Sequence, residues 1–186
     1  MAALPPARRV VTGHDANGRA IIEDDRTFEP FDPRALVPDL EASNTVHPNE
    51  DANEGHRGGF IHLWRTEEFP AKVQGPWTEY QNKHIPLSDK TGTTVRIVDI
   101  VPGVSSPMHR TVSLDFGIVL SGEVVLELDN GVETIVRAGD TVVQRGTIHA
   151  WHNRSKETSR ILFVLVPSER VVVDGIELDK TDFVIN

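Results

Sequence analysis

The sequence contains no cysteine and no long apolar run, and each absence removes a class of protein. Without cysteine there is no disulfide framework, no thiolate nucleophile and no cysteine-ligated metal site. No apolar run approaches the roughly 20 residues that a membrane-spanning helix needs, and the first residues lack the apolar core of a secretory signal. We therefore expect a cytoplasmic protein with no membrane partner.

Positive charge is also scarce. The chain has 19 Lys and Arg against 28 Asp and Glu, a formal net charge of -9, whereas nucleic-acid binding requires clustered basic residues. Residues 22–54 alone hold ten acidic and two basic residues, so the rest of the chain is nearly neutral. The composition argues against a nucleic-acid partner and gives no reason to infer a basic ligand.

The apolar pattern predicts short strands and no amphipathic helix of ordinary length. Strands spaced by about 8 to 12 residues and separated by Gly, Asn-Gly and Pro turns predict an all-β, antiparallel sandwich or closed barrel. A chain of 186 residues suits a single domain. Within it, we expect residues 1–92 to form N-terminal strands and an acidic loop extension that packs on the barrel, and residues 93–186 to form the barrel and the C-terminal strands.

The individual elements follow from local composition and turn residues. Prolines at four positions of residues 23–59 oppose a long helix or a central strand, so this acidic segment is expected to be a loop, mobile in its second half (41–59). In chain order, the other predicted elements are a hairpin at 9–22, strands at 60–64, 93–103 and 159–166, a broken extended segment at 71–80, and hairpins at 123–137 and 171–176.

The stretch from Gly103 to Asn153 carries the chemistry. His109, Thr111, Ser113 and Asp115 alternate along a strand and therefore share one face, because successive strand side chains point to opposite sides. That polar face either meets solvent, as in any half-buried strand, or lines the inside of a barrel. Alternation alone leaves both possibilities open.

The spacing of this stretch resembles the two motifs of the cupin superfamily. The glycines, His109, His149 and Asn153 match, in the order Gly-x5-His-x-Thr-x3-Asp-x6-Gly and then Gly-x6-Gly-x2-His-x3-Asn. Three positions depart from the usual motifs: Thr111 replaces a second histidine, Asp115 replaces a glutamate, and Gln144 stands where proline is usual. The match covers residues 93–166 well and residues 1–92 poorly. The sequence around His109 and His149 is similar to that of cupin-domain oxidoreductases whose genes accompany fungal polyketide-pathway genes.

The resemblance implies a cupin-type antiparallel β-barrel, also called a double-stranded β-helix or jelly roll, with an N-terminal extension. It also implies a divalent metal, Fe, Mn, Zn or Ni, held by His109, Asp115 and His149. Two histidines and one carboxylate with open positions suit non-haem iron and oxygen chemistry, so the leading hypothesis is an oxidoreductase that tailors an oxygenated small molecule. A dehydratase, isomerase or decarboxylase and a metal-free small-molecule-binding protein are the alternatives.

The remaining predicted site residues are weaker. Arg145 is a candidate to orient a substrate carboxylate, and His84 and Tyr80 are candidate acid–base groups at the pocket mouth. The predicted substrate-binding residues are Thr111, Ser113 and Trp151. Opposite the polar face, the apolar residues predict a homodimer interface, as is usual in the family: Val112, Leu114 and Phe116.

Overall fold

The computed structural model describes residues 4–33, 58–86, 88 and 90–180, and within these ranges the regular structure consists of strands. Alternating apolar residues and frequent glycine turns produce strands of three to nine residues. In chain order they are β1 (Ala7–His14), β2 (Ala20–Phe28), β3 (Gly59–Arg65), β4 (Thr94–Ile100), β5 (Ser113–Ser121), β6 (Glu123–Leu128), β7 (Glu133–Arg137), β8 (Thr141–Arg145), β9 (His149–His152), β10 (Ser159–Pro167), β11 (Val171–Val173) and β12 (Ile176–Leu178).

Two antiparallel sheets enclose the main core. One has the order β3-β4-β10-β5-β8 and the other the order β7-β6-β9. Apolar residues of both sheets meet in one buried cluster, in which Val119 and Ile161 come from the first sheet and Val124, Leu126 and Trp151 from the second. This arrangement confirms the predicted all-β cupin fold, in which burial of the facing apolar side chains provides the main stabilising term.

The outer face of the five-stranded sheet has its own apolar cover. The β1–β2 hairpin contributes Ala7 and Phe28, which pack with Ile61 of β3 and Ile97 of β4. On the same face, Arg160 of β10 pairs with Asp99 of β4, and its Nη1 donates to the carbonyl oxygen of Pro5. Both side chains of the pair are buried, so this face is packed with paired charges as well as apolar groups.

Most predicted elements are confirmed, and the boundaries of two segments are corrected. The hairpin at 123–137 turns at Gly131, whose φ of 76° favours glycine. The loop predicted from residue 23 begins later, because β2 continues to Phe28. The segment at 71–80 contains no strand, although Trp77 contacts Trp64 with ring centroids 5.3 Å apart. Most of the predicted mobile half, residues 41–57, lies outside the described residues.

The polar face of β5 lies inside the barrel. Ser113 and Asp115 are buried. The alternate residues of the same strand, Leu114 and Phe116, are half-buried on the outer face. The alternative in which the polar residues meet solvent is therefore wrong. The homodimer through Val112, Leu114 and Phe116 remains a prediction. Across the part of the chain that the structure describes, no helix is both long and apolar enough to cross a membrane.

Candidate functional site in the barrel

Two histidines meet at the centre of the site. His109 lies in the segment that precedes β5, and His149 begins β9 after the turn at Gly146, whose φ is 62°. The two residues exchange both backbone N–H···O hydrogen bonds, each 2.9 Å long. Directly opposed residues of an antiparallel pair share a face, and the two imidazole centroids are accordingly 4.3 Å apart.

The backbone fixes the orientation and the protonation state of both rings. His109 Nδ1 lies 2.8 Å from the carbonyl oxygen of Pro107, and His149 Nδ1 lies 3.0 Å from that of Thr147. A carbonyl oxygen only accepts, so each Nδ1 carries the hydrogen and each Nε2 keeps its lone pair. Burial lowers the pKa of His149, and burial together with the neighbouring His149 lowers the pKa of His109 to about 4. Both imidazoles are therefore neutral at pH 7, the form that binds metal.

Asp115 is held by two of the three residues that depart from the cupin motifs. The Thr111 hydroxyl donates to Asp115 Oδ2 at 3.0 Å, and Gln144 Nε2 donates to the same oxygen at 3.3 Å. All three side chains are buried, and Asp115 is directly opposite Gln144 in the β5–β8 register. The departures thus form one hydrogen-bonded group, in which the hydroxyl and the amide orient the carboxylate.

The structure brings together two of the three predicted metal ligands. Within the described ranges, no three His, Asp or Glu side chains converge closely enough to hold one metal ion. Thr111 and Gln144 donate to Oδ2 of Asp115, and its other oxygen, Oδ1, is buried and has no hydrogen-bond partner among the described residues. The two neutral imidazoles can offer their Nε2 atoms to a divalent metal, and the carboxylate of Asp115 would have to turn towards them to act as a third ligand.

A buried cation forms part of the same interior. Arg96 of β4 has a side chain on the inner face of the sheet, opposite His62 of β3, and its guanidinium lies 5.3 Å from the ring centroid of Phe60. Burial lowers the pKa of Arg96 to about 10, partly offset by the negative charge of Asp115. Arg96 therefore remains positively charged at neutral pH and faces the carboxylate of the site.

His62 is a third neutral imidazole on this face. Its Nδ1 lies 3.1 Å from the carbonyl oxygen of Tyr80, which only accepts, so Nδ1 carries the hydrogen. Burial lowers the pKa of His62 to about 4, and nearby Arg96 contributes in the same direction. The remaining nitrogen, Nε2, is buried and has no hydrogen-bond partner in the part of the chain that the structure describes. It is thus an acceptor that lacks a donor.

The predicted substrate-binding residues lie beside this polar group. Thr111 orients Asp115, and the buried Ser113 lies two residues before Asp115 on the same face of β5. Trp151 is buried in the core cluster, contacts His149 with centroids 6.4 Å apart and packs edge-on against Phe163. It forms an apolar wall next to the histidine pair, and within the described ranges its indole Nε1 has no hydrogen-bond partner.

The three predicted catalytic residues do not lie with the histidine pair. Arg145 is exposed on β8 opposite Leu114, on the outer face, because the neighbouring Gln144 takes the inner position. Tyr80 is buried, but its hydroxyl donates to Glu67 Oε1 at 2.6 Å. His84 is exposed, although it lies near enough to His62 to contribute to lowering the pKa of that ring. These positions do not favour direct roles at the histidines.

Two other residues of the motif region have structural hydrogen bonds. Asn153 Nδ2 donates to the carbonyl oxygens of Ile100 and Glu157 at 2.6 and 2.8 Å, and so anchors the turn after β9. His152 lies on the opposite side of β9 from His149, where its Nε2 is 2.8 Å from Glu127 Oε2. His152 is therefore outside the barrel.

Sequence reasoning missed Arg96, His62 and the contact of Gln144 with Asp115. The available signal was an arginine within strand β4, at a position of the same parity as the core residues Val98 and Ile100. Strand alternation places such a residue inside the barrel. The role of Gln144 depends on the β5–β8 register, which the sequence does not specify.

Comparison with known proteins gives matches over most of the chain. Residues 96–165 match the family described as cupin domain. The phomopsin biosynthesis cluster protein C′ of Diaporthe leptostromiformis is 32% identical over 178 residues, which cover 92% of this chain and 84% of that protein. The cupin-domain-containing oxidoreductase fogC of Aspergillus ruber is 32% identical over 184 residues, which cover 96% and 81%. A solved cupin superfamily structure from Desulfitobacterium hafniense aligns with 62% of this chain and 83% of its own, at 14% identity and a TM-score of 0.43.

Proposed function

The chain belongs to the cupin superfamily, and from that premise we propose that it is a metal-dependent oxidoreductase that tailors an oxygenated small molecule such as a polyketide intermediate. Two relatives, each 32% identical and covered to 84% and 81% of their length, are named a biosynthesis cluster protein and a cupin-domain-containing oxidoreductase. The observation that carries the proposal is the pair of neutral, backbone-anchored imidazoles of His109 and His149, whose centroids are 4.3 Å apart.

Each residue of the site has a distinct part in this proposal. His109 and His149 would hold a divalent metal through Nε2, with Asp115 Oδ1 as the third donor. Such a metal, with open positions, supplies a binding place for oxygen or for a substrate oxygen. The hydrogen bonds from Thr111 and Gln144 keep Asp115 oriented, and Trp151 limits the access of water to the histidine pair.

Nitric oxide tests the proposal because it binds Fe(II) sites that have an open position for oxygen. The protein is loaded anaerobically with Fe(II), exposed to nitric oxide and measured by electron paramagnetic resonance. We expect a high-spin ferrous-nitrosyl signal that His149→Ala abolishes. The matched control, His152→Gln, changes a histidine of the same strand that lies outside the barrel and retains the signal. No signal from the wild-type protein, or an equal signal from His149→Ala, would contradict the proposal.

A second candidate function is acid–base catalysis by a dehydratase, isomerase or decarboxylase. The specific observation in its favour is Asp115, because burial raises the pKa of this carboxyl and its polar neighbours only partly oppose the effect. A carboxyl whose pKa is raised by burial is better suited to donate a proton than an ordinary exposed carboxyl. Turnover that continues undiminished when oxygen is excluded would favour this candidate over the oxidoreductase.

A further inference from the structure

Three polar side chains form a hydrogen-bonded group on the outer face of the three-stranded sheet. His152 Nδ1 lies 2.7 Å from Ser105 Oγ, and His152 Nε2 lies 2.8 Å from Glu127 Oε2. Ser105 is directly opposite His152. On the other side of β9, Val125 is the residue paired with His152, and Glu127 lies two positions further along the same face of β6. A serine, a histidine and a carboxylate bonded in this order are the parts of an activated serine nucleophile.

The carboxylate determines which ring nitrogen of His152 carries the hydrogen. A carboxylate oxygen only accepts, so Nε2 donates to Glu127 and, in the neutral imidazole, Nδ1 keeps its lone pair. The Ser105 hydroxyl therefore donates to Nδ1. This hydrogen bond runs from the serine oxygen to a base, which is the direction in which the proton leaves when the oxygen attacks an electrophile.

A neighbouring arginine separates the roles of two adjacent carboxylates. Glu127 is directly opposite Glu133 in the β6–β7 register, so the two side chains share a face. Arg154 donates to both oxygens of Glu133, at 2.7 and 2.6 Å, and so offsets the charge of that carboxylate. Glu127 is the carboxylate that accepts from His152 and orients its ring.

The exposure of the three side chains suits a nucleophile that reacts at the surface. The side chains of His152 and Glu127 are 14% and 29% exposed, whereas Ser105 is exposed. A small electrophile can therefore reach the serine oxygen from solvent, and no enclosed cavity is required. His149 and Trp151 are buried on the opposite face of β9, so this group is separate from the histidine pair of the barrel.

We propose that Ser105 is a nucleophile that accepts an acyl group from an activated ester, with His152 as general base and Glu127 as the residue that positions it. The bond from Ser105 Oγ to the acyl carbon forms, and the bond from that carbon to the leaving oxygen breaks. The hydroxyl proton passes to His152 Nδ1 and then to the leaving group or to solvent. Nothing is oxidised or reduced in this step, so the inference goes beyond the proposed function and does not rest on it.

Two serines compared in one sample test this inference. The full chain is incubated with p-nitrophenyl acetate, and acetylated serines are located and quantified over time by mass spectrometry. Ser168 is the internal control, because it is exposed but its hydroxyl donates to the carbonyl oxygen of Glu169 at 3.0 Å. General base catalysis predicts that Ser105 is acetylated roughly 100-fold faster than Ser168. Equal rates at the two serines, or no acetylation of Ser105, would overturn the proposal without any variant.

Variants then assign the roles of the serine and the histidine. His152→Gln is expected to slow acetylation of Ser105 to the rate of Ser168, because glutamine can hold a hydrogen bond but is not a base. Ser105→Ala is expected to remove the fast release of p-nitrophenolate. Fast release that persists in Ser105→Ala and is lost in His152→Gln would show that the imidazole itself attacks, and would contradict the proposal. Thermal unfolding checks that each variant is folded.

The positioning role of Glu127 has a readout of its own. Nitrogen NMR spectra of an imidazole distinguish the Nε2–H form from the Nδ1–H form, and we expect the Nε2–H form for His152 in the wild-type protein. Glu127→Ala should lose this preference together with most of the acetylation of Ser105. The control Glu123→Gln changes a carboxylate at the other end of β6 that pairs with Arg137, and should keep both. Unchanged acetylation in a folded Glu127→Ala protein would contradict the role of this carboxylate.

Discussion

Two buried aspartates on opposite faces of the five-stranded sheet are satisfied in different ways. Asp99, on the outer face, receives two hydrogen bonds of 2.7 Å from Arg160, one to each oxygen. Asp115, on the inner face, receives hydrogen bonds from Thr111 and Gln144 at Oδ2, and its Oδ1 has no hydrogen-bond partner among the described residues. A buried carboxylate oxygen that receives no hydrogen bond can accept one from a ligand or can coordinate a metal. The outer pair is structural, and the inner residue belongs to the site.

The largest expected effect is on the outer face. Asp99→Asn leaves the buried guanidinium of Arg160 without a charged partner, and breaking a buried ion pair in this way costs about 3–5 kcal/mol. Chemical denaturation measures the loss in free energy of unfolding. Glu133→Gln, which removes an exposed pair with Arg154, serves as the control and costs less than about 1 kcal/mol. If Asp99→Asn loses no more free energy of unfolding than the control, the proposed structural role of the outer aspartate is contradicted.

Lowering the pH should reduce the free energy of unfolding because His62 becomes protonated. Its pKa is about 4 in the folded protein against an ordinary value of 6.5, so the unfolded chain binds the proton more readily and stability falls as the pH drops from about 6.5 towards 4. The expected contribution is at most about 3 kcal/mol. His62→Gln removes this contribution, so the difference in unfolding free energy between wild type and variant should narrow towards pH 4. A constant difference from pH 7 to pH 4 would contradict the burial of a neutral His62.

The smallest expected stability effect comes from the inner aspartate. In Asp115→Asn the amide oxygen can still accept from Thr111 and Gln144, and a buried charge is removed, so the free energy of unfolding should change by no more than about 1 kcal/mol. Binding of Co(II), followed by its visible absorption, should weaken roughly 10-fold or more. Unchanged Co(II) affinity in this variant would exclude Asp115 from the metal site. Asp99→Asn should show the reverse pattern, with a large stability loss and unchanged Co(II) affinity.

The fold was largely predictable because alternation and turn residues are local signals. The Asn-Gly turn defines the β6–β7 hairpin, and the apolar run of β10 marks a buried strand. The extent of β2 was missed because acidic residues are poor strand formers. Cross-strand pairing compensates, since Asp25 receives two hydrogen bonds of 2.7 Å from Arg8 on the adjacent strand.

The site was predictable only in part. His109 and His149 follow from motif spacing, and the structure brings them into contact. The position of the Asp115 carboxylate was not predictable, because it depends on side-chain hydrogen bonds that require the β5–β8 register. Arg96 was overlooked although it has the parity of the core residues Val98 and Ile100. Its position opposite His62 becomes visible only when β4 and β3 are paired.

A crystal structure of the protein soaked with Mn(II) tests the central claim most directly. Anomalous diffraction locates the metal without assumptions about the reaction. We expect one strong anomalous peak about 2.0–2.3 Å from the Nε2 atoms of both His109 and His149, with Asp115 Oδ1 turned towards it. A peak elsewhere, or none at the histidine pair, would contradict the assignment of the inner polar residues as a metal centre.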